Sequence, residues 1–277
     1  MPSPQFLDGV RVATMAQNVP GPLAVARMWQ AGAHVTKIEP PAGDPLRSLA
    51  PAWHTELHEG ITIEHLDLKT HPARERLMTL LDGVDLCITS QRPSQLARLG
   101  CDPEALRARV PGLRILRIVG SIAEPELAGH DLTYQAQAGI LGDEMPRTLT
   151  ADVIASERVF ATALALLRQP PGATIDVGLV ESLEPMLASL RHGVTTPNGP
   201  LGGAIARYRL YPARVGRVAI AALEPHFATR LYQQLNLPEG SDLSSNFRER
   251  TATEWEAWAR ERDLPVAAVK DYGSRSQ

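Results

Sequence analysis

Residues 10–39 read VRVATMAQNVPGPLAVARMWQAGAHVTKIE. The apolar, β-branched run 10–15 predicts a strand, and apolar residues at helical spacing predict a helix over 23–30. Gly32 stands where that helix would stop, and a second apolar run predicts a strand over 35–39. The stretch therefore predicts a β-α-β unit, which is the building block of a parallel sheet.

The same alternation continues beyond this unit. Further strands are predicted over 61–66, 86–89, 113–119 and 174–177, and helices over 72–81, 93–99, 103–108, 132–141 and 152–167. Strands separated by helices of this length favour a mostly parallel sheet that is covered on both faces. We therefore expect an α/β, Rossmann-like domain.

The composition changes after His192. Residues 196–203 read TPNGPLGG, which is typical of a linker. Beyond it, 208–211 and 217–222 alternate like a hairpin, 225–235 has a helical pattern, and Thr251 and Glu254 have capping-box spacing. We expect a large domain over 1–195, a linker over 196–203 and a small α+β domain over 204–277.

Bulk composition indicates an ordinary globular protein. The 277 residues are 44% hydrophobic and 21% charged, and the formal net charge of −3 gives no reason to expect a nucleic-acid partner. No apolar run approaches the roughly 20 residues that cross a bilayer, and the first residues lack signal-peptide features. Cys87 and Cys101 show no CxxC spacing, so we expect reduced thiols, a cytoplasmic location and no membrane partner.

Several signatures of common enzyme classes are missing. The sequence has no GxGxxG after the first strand, no Walker A loop, no GxSxG and no HExxH, so dehydrogenase, kinase and classical hydrolase functions lose their main support. His54 and His58 stand four residues apart but lack the adjacent His-Glu pair of the zincin motif. We interpret them as a polar surface segment and expect no metal.

The sequence contains several short motifs, and their order along the chain is informative. They are LDGVRV at 7–12, PGP at 20–22, GAHVTKIEPP at 32–41, GDPLR at 43–47, LDLKT at 66–70, RP at 92–93, RLG at 98–100, AGHDLTY at 128–134, AD at 151–152 and ALEPHF at 222–227. In this combination the sequence resembles the family III CoA-transferases of the CaiB/BaiF type. The last three motifs are most similar to the α-methylacyl-CoA racemase branch. The resemblance implies an acyl-CoA substrate, no permanently bound cofactor and a homodimer.

The resemblance also implies roles for individual residues. Asp152 matches the aspartate that attacks the thioester carbonyl in the transferases and exchanges a proton in the racemases. His130 matches the racemase histidine, and Glu224 matches a glutamate near that histidine. The start of the helix carrying Asp152 would offer backbone N–H groups to an enolate oxygen. The residues implied to contact CoA are Lys37, Arg47, Lys69, Arg92 and Tyr134.

Each catalytic assignment has a plain structural alternative. Asp152 would cap its helix, His130 would be a turn residue with a satisfied ring, and Glu224 would be an ordinary acid in a first helical turn. The order of the three motifs favours the catalytic interpretation.

Three functions follow from these assignments. The leading hypothesis is racemase-like removal and return of an α-proton by His130 and Asp152, with Glu224 orienting the histidine. The first alternative is CoA transfer between carboxylic acids at Asp152. The second is a degenerate scaffold or small-ligand binder, which is favoured by HEGIT at 58–62 in place of the family's basic patch, by VIAS at 153–156 in place of glycines, and by the end of the chain at 277.

Overall fold

The computed structural model describes residues 5–271. The chain divides into two compact units, one up to Pro185 and one from Met186. The division falls within a helix, Leu179–Arg191, which the sequence analysis does not predict, and it lies ten residues before the predicted domain end at 195. The predicted linker contains a short turn of π-helix, Pro200–Ala204.

The first unit is built on six parallel strands. They are β1 (Arg11–Thr14), β2 (His34–Glu39), β3 (Thr62–His65), β4 (Leu86–Thr89), β5 (Arg114–Val119) and β6 (Thr174–Gly178). Their order across the sheet is β3-β2-β1-β4-β5-β6, and every pairing is parallel. This arrangement confirms the predicted α/β, Rossmann-like fold.

In the described part of the chain, nine helices connect or follow these strands. They are α1 (Pro20–Gln30), α2 (Pro45–Leu49), α3 (Pro51–Leu57), α4 (His71–Leu81), α5 (Pro93–Leu99), α6 (Pro103–Arg109), α7 (Asp131–Ala138), α8 (Thr150–Leu167) and α9 (Leu179–Arg191). The first six carry proline in the first turn, where a missing N–H costs no hydrogen bond. Helices α5 and α7 end at glycines in the left-handed conformation, Gly100 and Gly139.

The sheet is buried on both faces, as a parallel sheet requires. All four residues of β4 are buried, and the neighbouring strands contribute apolar side chains to two separate clusters. One cluster packs with α1 and α8, and the other packs with α4, α5 and α6. The central strands therefore read as continuous apolar runs.

The second unit has its own small sheet and aromatic core. Strands β7 (Tyr208–Pro212), β8 (Arg217–Ala221) and β9 (Val266–Ala268) pair antiparallel, with helices α10 (Pro225–Gln234), α11 (Ser244–Phe247) and α12 (Ala252–Arg260). Tyr211, Phe247 and Trp255 pack together in its core. At the start of α12 the predicted capping box is present, because Thr251 and Glu254 bond each other's backbone N–H groups.

Within residues 5–271, no helix has both the length and the apolar character that crossing a membrane requires.

Candidate active site

The sheet order reverses between β1 and β4, which makes this pair the topological switch point. In open α/β sheets, ligands bind beyond the carboxyl ends of the strands at such a point. The structure has a hollow of about 110 Å³ there. The chain leaving β1 contributes Gln17, the chain leaving β4 contributes Ser90, and the chain leaving β5 contributes Gly120. His130, Tyr134 and Asp152 complete its polar lining.

Hydrogen bonds hold these loops in place. The Gln17 N–H donates to Oγ of Ser90 at 2.9 Å, which joins the ends of β1 and β4. Beyond β5, one carboxylate oxygen of Glu181 accepts from the Ser121 hydroxyl and from the Ile122 N–H, both at 2.9 Å. The loops that line the hollow are therefore fixed by side chains that the sequence analysis does not single out.

Asp152 is the acidic group of this hollow. It occupies the third position of α8 and is 9% exposed. None of residues 5–271 donates a hydrogen bond to its carboxylate. Burial, followed by the negative charge of Asp131, raises the pKa of Asp152 to about 7 from an ordinary value of 3.8. A carboxyl group with this pKa exchanges protons readily near neutral pH.

The structural alternative for Asp152, a helix-capping aspartate, is wrong. The residue at the cap position of α8 is Leu149, so Asp152 is not the helix cap. Its own backbone N–H donates to Oδ1 of Asp131 at 3.1 Å. Stabilisation of an enolate oxygen by other N–H groups at the start of α8 stays a prediction. Asp131 was not predicted as a site residue, since an aspartate at the start of a helix is common and the sequence gives no sign of its long-range contact.

His130 lies at the cap position of α7 and is exposed. Its backbone N–H donates to the Thr133 hydroxyl at 3.0 Å, in a capping box at the start of α7. The alternative of a turn histidine with a satisfied ring stays a prediction. His130 and Asp152 both line the same hollow, so the structure brings these two predicted site residues together.

Tyr134 forms one wall of the hollow and is 4% exposed. Two glycines make room for its ring, since a Cβ atom at Gly120 would lie 2.3 Å from the phenol oxygen and one at Gly129 would lie 2.5 Å from the ring. Burial, followed by the negative charge of Asp152, raises the pKa of the Tyr134 phenol, so it stays protonated and can donate a hydrogen bond.

Two further hollows extend this site along the carboxyl edge of the sheet. One of about 100 Å³ is lined by Gln91, Arg92 and Tyr134. The other, of about 140 Å³, is lined by Gln17, Gln91 and Lys69. Neighbouring hollows share lining residues, so together they form one groove that ends at Asp152. The groove contains two of the cations that the sequence analysis assigns to CoA, namely Lys69 and Arg92.

Lys37 and Arg47 do not line this groove. Lys37 is completely buried, and its ammonium group lies 2.6 Å from Asp44, 2.7 Å from His58 and 3.1 Å from Glu39. Its three N–H bonds therefore have partners inside the protein, and none is left for a phosphate. Arg47 belongs to α2 and lines none of the three hollows.

The side chains around Lys37 are the described residues that come nearest to a metal site. Oxygen or nitrogen atoms of Glu39, His54 and His58 lie within 4.8 Å of one another. Both histidines are 7% exposed, so the interpretation of a polar surface segment is wrong. Helix α3 turns them inward, and the Lys37 ammonium group occupies the space that a cation would need.

Glu224 belongs to the second compact unit, where it is exposed at the cap position of α10. Its predicted role as the partner of His130 stays a prediction. Two larger hollows lie elsewhere: one of about 560 Å³ is beside Trp29 and Gly60, and one of about 610 Å³ is beside Tyr208 in the second unit. Neither has a carboxyl group in its lining, so size does not identify the site.

These features define a Rossmann-like α/β protein with a candidate active site at the switch point of its sheet. The chain belongs to CoA-transferase family III, whose sequence profile matches residues 7–275. The match covers both compact units.

Individual relatives agree with this assignment. The chain is 25% identical to the CaiB/baiF CoA-transferase family protein ZK892.4 of Caenorhabditis elegans, over 99% of this chain and 89% of that protein. It is 27% identical to the succinyl-CoA–D-citramalate CoA-transferase of Chloroflexus aurantiacus, over 85% of this chain but only 66% of that enzyme. The crystal structure of Rv3272 from Mycobacterium tuberculosis has the same fold, with a TM-score of 0.83 and 22% identity over 98% of this chain and 86% of that chain.

Proposed function

We propose that this protein transfers CoA between carboxylic acids, with Asp152 as the nucleophile. The observation that carries the proposal is the Asp152 carboxyl group: it is buried, accepts no hydrogen bond from residues 5–271, and belongs to a residue that lines the hollow at the carboxyl edge of the sheet. Family membership and the named activity of the Chloroflexus enzyme support the same reaction. The substrate is a CoA thioester, and no permanently bound cofactor takes part.

The first half of the reaction moves CoA onto the protein. The Asp152 carboxylate attacks the thioester carbonyl, the carbon–sulfur bond breaks, and CoA leaves as a thiolate. The acyl group is then joined to Asp152 as a mixed anhydride. The thiolate attacks the aspartyl carbonyl, the donor carboxylate leaves, and an aspartyl-CoA thioester forms.

The second half repeats these steps in the opposite direction. An acceptor carboxylate attacks the aspartyl thioester and again releases the CoA thiolate. The thiolate then attacks the acyl carbonyl of the new anhydride, which yields the acceptor acyl-CoA and restores the Asp152 carboxylate. Each attack creates an oxyanion, and the protonated phenol of Tyr134 lines the same hollow and can donate a hydrogen bond to it.

The groove supplies groups that suit the rest of the CoA molecule. Lys69 and Arg92 lie along it and are exposed, so both can pair with phosphate oxygens. The non-basic segment 58–62 does not contribute to this groove, since none of its residues is in the lining of the three hollows. Its departure from the family's basic patch therefore leaves Lys69 and Arg92 as the phosphate contacts.

Trapping the covalent intermediate tests the proposal. The protein is incubated with acetyl-CoA or succinyl-CoA and then with hydroxylamine, and the peptides are analysed by mass spectrometry. We expect a hydroxamate on Asp152 that is absent from D152N. The matched control is D176N, because Asp176 is an aspartate of the same unit that pairs with Arg117 outside the groove. An unmodified Asp152 in protein that binds the thioester would overturn the nucleophilic role.

A second candidate function is exchange of the α-proton of an acyl-CoA. The observation that favours it is the position of His130, which lines the same hollow as Asp152. Two such groups on opposite sides of the α-carbon can remove and return a proton. The test is incorporation of deuterium from heavy water at the α-carbon, which H130A should abolish. Exchange that continues in H130A would remove this function.

Two further expectations belong with the proposal. If the protein is a degenerate scaffold, calorimetric titration with CoA or acetyl-CoA will give no heat of binding. We also propose a homodimer in the cytoplasm, as the resemblance implies, and analytical ultracentrifugation of the full chain tests the dimer directly. A monomer at micromolar concentration would contradict it.

A further inference from the structure

Helix α8 begins without a cap of its own. The residue at the cap position is Leu149, whose side chain has no hydrogen-bond acceptor. The first N–H groups of a helix have no partner within the helix, and a capping side chain usually accepts from the second or third of them. At the third position of α8 this N–H belongs to Asp152.

The missing acceptor comes from the neighbouring helix. Oδ1 of Asp131, the first residue of α7, accepts from the Asp152 N–H at 3.1 Å. Oδ2 of Asp131 accepts from the side-chain amide of Gln135 at 2.6 Å, and the same amide nitrogen donates to the carbonyl of Thr148 at 3.2 Å. These bonds tie α7 to the segment that leads into α8, on both sides of Leu149.

The network is inside the protein. Asp131 is 5% exposed and Gln135 is 2% exposed. A buried carboxylate needs hydrogen-bond donors on its oxygens, and Asp131 has one donor on each oxygen. Asp152, by contrast, has none on its carboxylate, so the two neighbouring aspartates have opposite environments.

We propose that Asp131 is the positioning residue of this site: acting from α7, it caps α8, fixes the backbone at Asp152 and places a negative charge beside that carboxyl group. The inference rests on the proposed function in that Asp152 is the reacting group. Asp131 itself does not touch substrate. Its charge opposes the positive end of α8, which would otherwise favour the ionised form of Asp152.

Few other charged groups affect the pKa of the Asp152 carboxyl. The titratable groups that line the same hollow are His130 and Tyr134, both from α7 or its cap position, and Arg92 lies in the adjoining hollow. On α1, which packs along α8, Arg27 pairs with Glu157 more than a turn away from Asp152. Asp131 is the only charged group among residues 5–271 whose charge raises the pKa of Asp152, and it adds to the effect of burial.

The test measures Asp152 directly, without substrate. Aspartate is labelled with ¹³C at the side-chain carboxyl, Asp152 is assigned with D152N, and its resonance is titrated between pH 4 and pH 9 (about the range of a shifted carboxyl). In D131N the amide oxygen can still accept from the Asp152 N–H while the charge is gone. We expect the proton affinity of Asp152 to fall at least tenfold. An unchanged proton affinity in folded D131N would overturn the inference.

D102N is the matched control, because Asp102 is a capping aspartate of α6 in the same unit and accepts from the N–H groups of Glu104 and Ala105. It should leave the titration of Asp152 unchanged, and an equal fall in D102N would overturn the inference.

A second measurement uses the unaltered chain, in case D131N does not fold. Amide hydrogen exchange followed by NMR should be at least tenfold slower at Asp152 than at Thr150, the first residue of α8, relative to their intrinsic rates. Equal protection of the two amides would contradict capping by Asp131. Neither measurement depends on activity. If the protein is inactive but D131N still lowers the proton affinity of Asp152, the proposed function is refuted and the role of Asp131 stands.

Discussion

The ammonium nitrogen of Lys37 lies 2.7 Å from Nε2 of His58, and neither side chain is open to solvent. Nδ1 of His58 lies 2.6 Å from the carbonyl of His54, so the ring proton is on Nδ1 and Nε2 accepts from the lysine. Burial, followed by the charge of Lys37, lowers the pKa of His58 and keeps the ring neutral. Burial acts to raise the pKa of Glu39, but the Lys37 ammonium outweighs it and the pKa is lowered.

The first prediction concerns this cluster. K37M leaves Glu39 and Asp44 buried without their cation, and breaking a buried ion pair in this way costs about 3–5 kcal/mol. We expect the free energy of unfolding, measured by urea denaturation at pH 7, to fall by about that amount. The control is K69M, because Lys69 is exposed and surface substitutions change stability by about 0.5 kcal/mol or less. Equal stability of K37M and K69M would show that the cluster does not stabilise the fold.

The cluster also shows which features of the structure cannot be predicted from the sequence. Parallel strands and most helices are predictable because β-branched runs and helical stripes are local patterns. The burial of Lys37 is not predictable in this way, since a lysine in a strand is ordinarily interpreted as a cation that faces solvent or a ligand. His54 and His58 are separated by polar residues, Thr55 and Glu56, which conceals the fact that α3 turns both rings inward.

The candidate site, too, is predictable only in part. The motif order singles out His130 and Asp152, and the structure puts both in one hollow. The role of Asp131 is not predictable from the sequence, because it depends on a hydrogen bond from Asp152, which is 21 positions away. No local spacing indicates such a contact. Residues that position a site through tertiary contacts carry no periodic signal, whereas the groups they position occur in recognisable motifs.

The second prediction is that Asp152 lowers stability at neutral and alkaline pH. Its pKa is about 7 in the folded protein and 3.8 ordinarily. The folded state therefore holds its proton more tightly, so stability declines as the pH rises from about 4 to about 7. D152N lacks this penalty and should be more stable at pH 8 by between about 1 and about 4 kcal/mol, the upper bound given by the full shift.

Denaturant unfolding at pH 5 and pH 8 measures this effect. The wild-type protein should lose more stability over the interval than D152N does. D176N serves as the control, because Asp176 is held by Arg117 and its removal should destabilise the protein instead. Parallel pH profiles for wild type and D152N would show that the environment of Asp152 does not favour its protonated form.

The third prediction is the pH dependence of transfer. In the proposed reaction the attacking group is the Asp152 carboxylate, and its ionised fraction increases through a pKa of about 7. We expect kcat/KM to rise about tenfold per pH unit below this value and to level off above it. Initial rates with a donor acyl-CoA and a free carboxylate acceptor, measured at constant ionic strength, give the profile. A rate that falls over the same interval would contradict attack by the carboxylate.

The fourth prediction concerns the groove. R92M should raise KM for acyl-CoA about tenfold or more with little change in kcat, since a charge-assisted hydrogen bond contributes about 1.5–3 kcal/mol. The control is R76M, because Arg76 is an arginine of α4 that pairs with Glu64 and lines none of the three hollows of the groove. If both variants keep the wild-type KM, the phosphates of CoA do not bind beside Arg92.

The last prediction concerns the wall that Tyr134 forms. A methyl group at Gly120 would lie 2.3 Å from the phenol oxygen and 3.0 Å from the ring carbon that bears it. G120A should therefore push the ring aside, at a cost of about 1–3 kcal/mol for overpacking, and should slow the reaction. The control is G142A, because the space around Gly142 is open.

Removing the phenol oxygen takes away the closest clash. The double variant G120A/Y134F should therefore be more stable than the two single changes predict together, and a double-mutant cycle by thermal denaturation measures this coupling. Activity should not return with stability, because the hydrogen-bond donor is lost along with the oxygen. Additive effects would mean that Gly120 and Tyr134 do not meet in solution, and full activity of Y134F would show that the phenol does not assist the reaction.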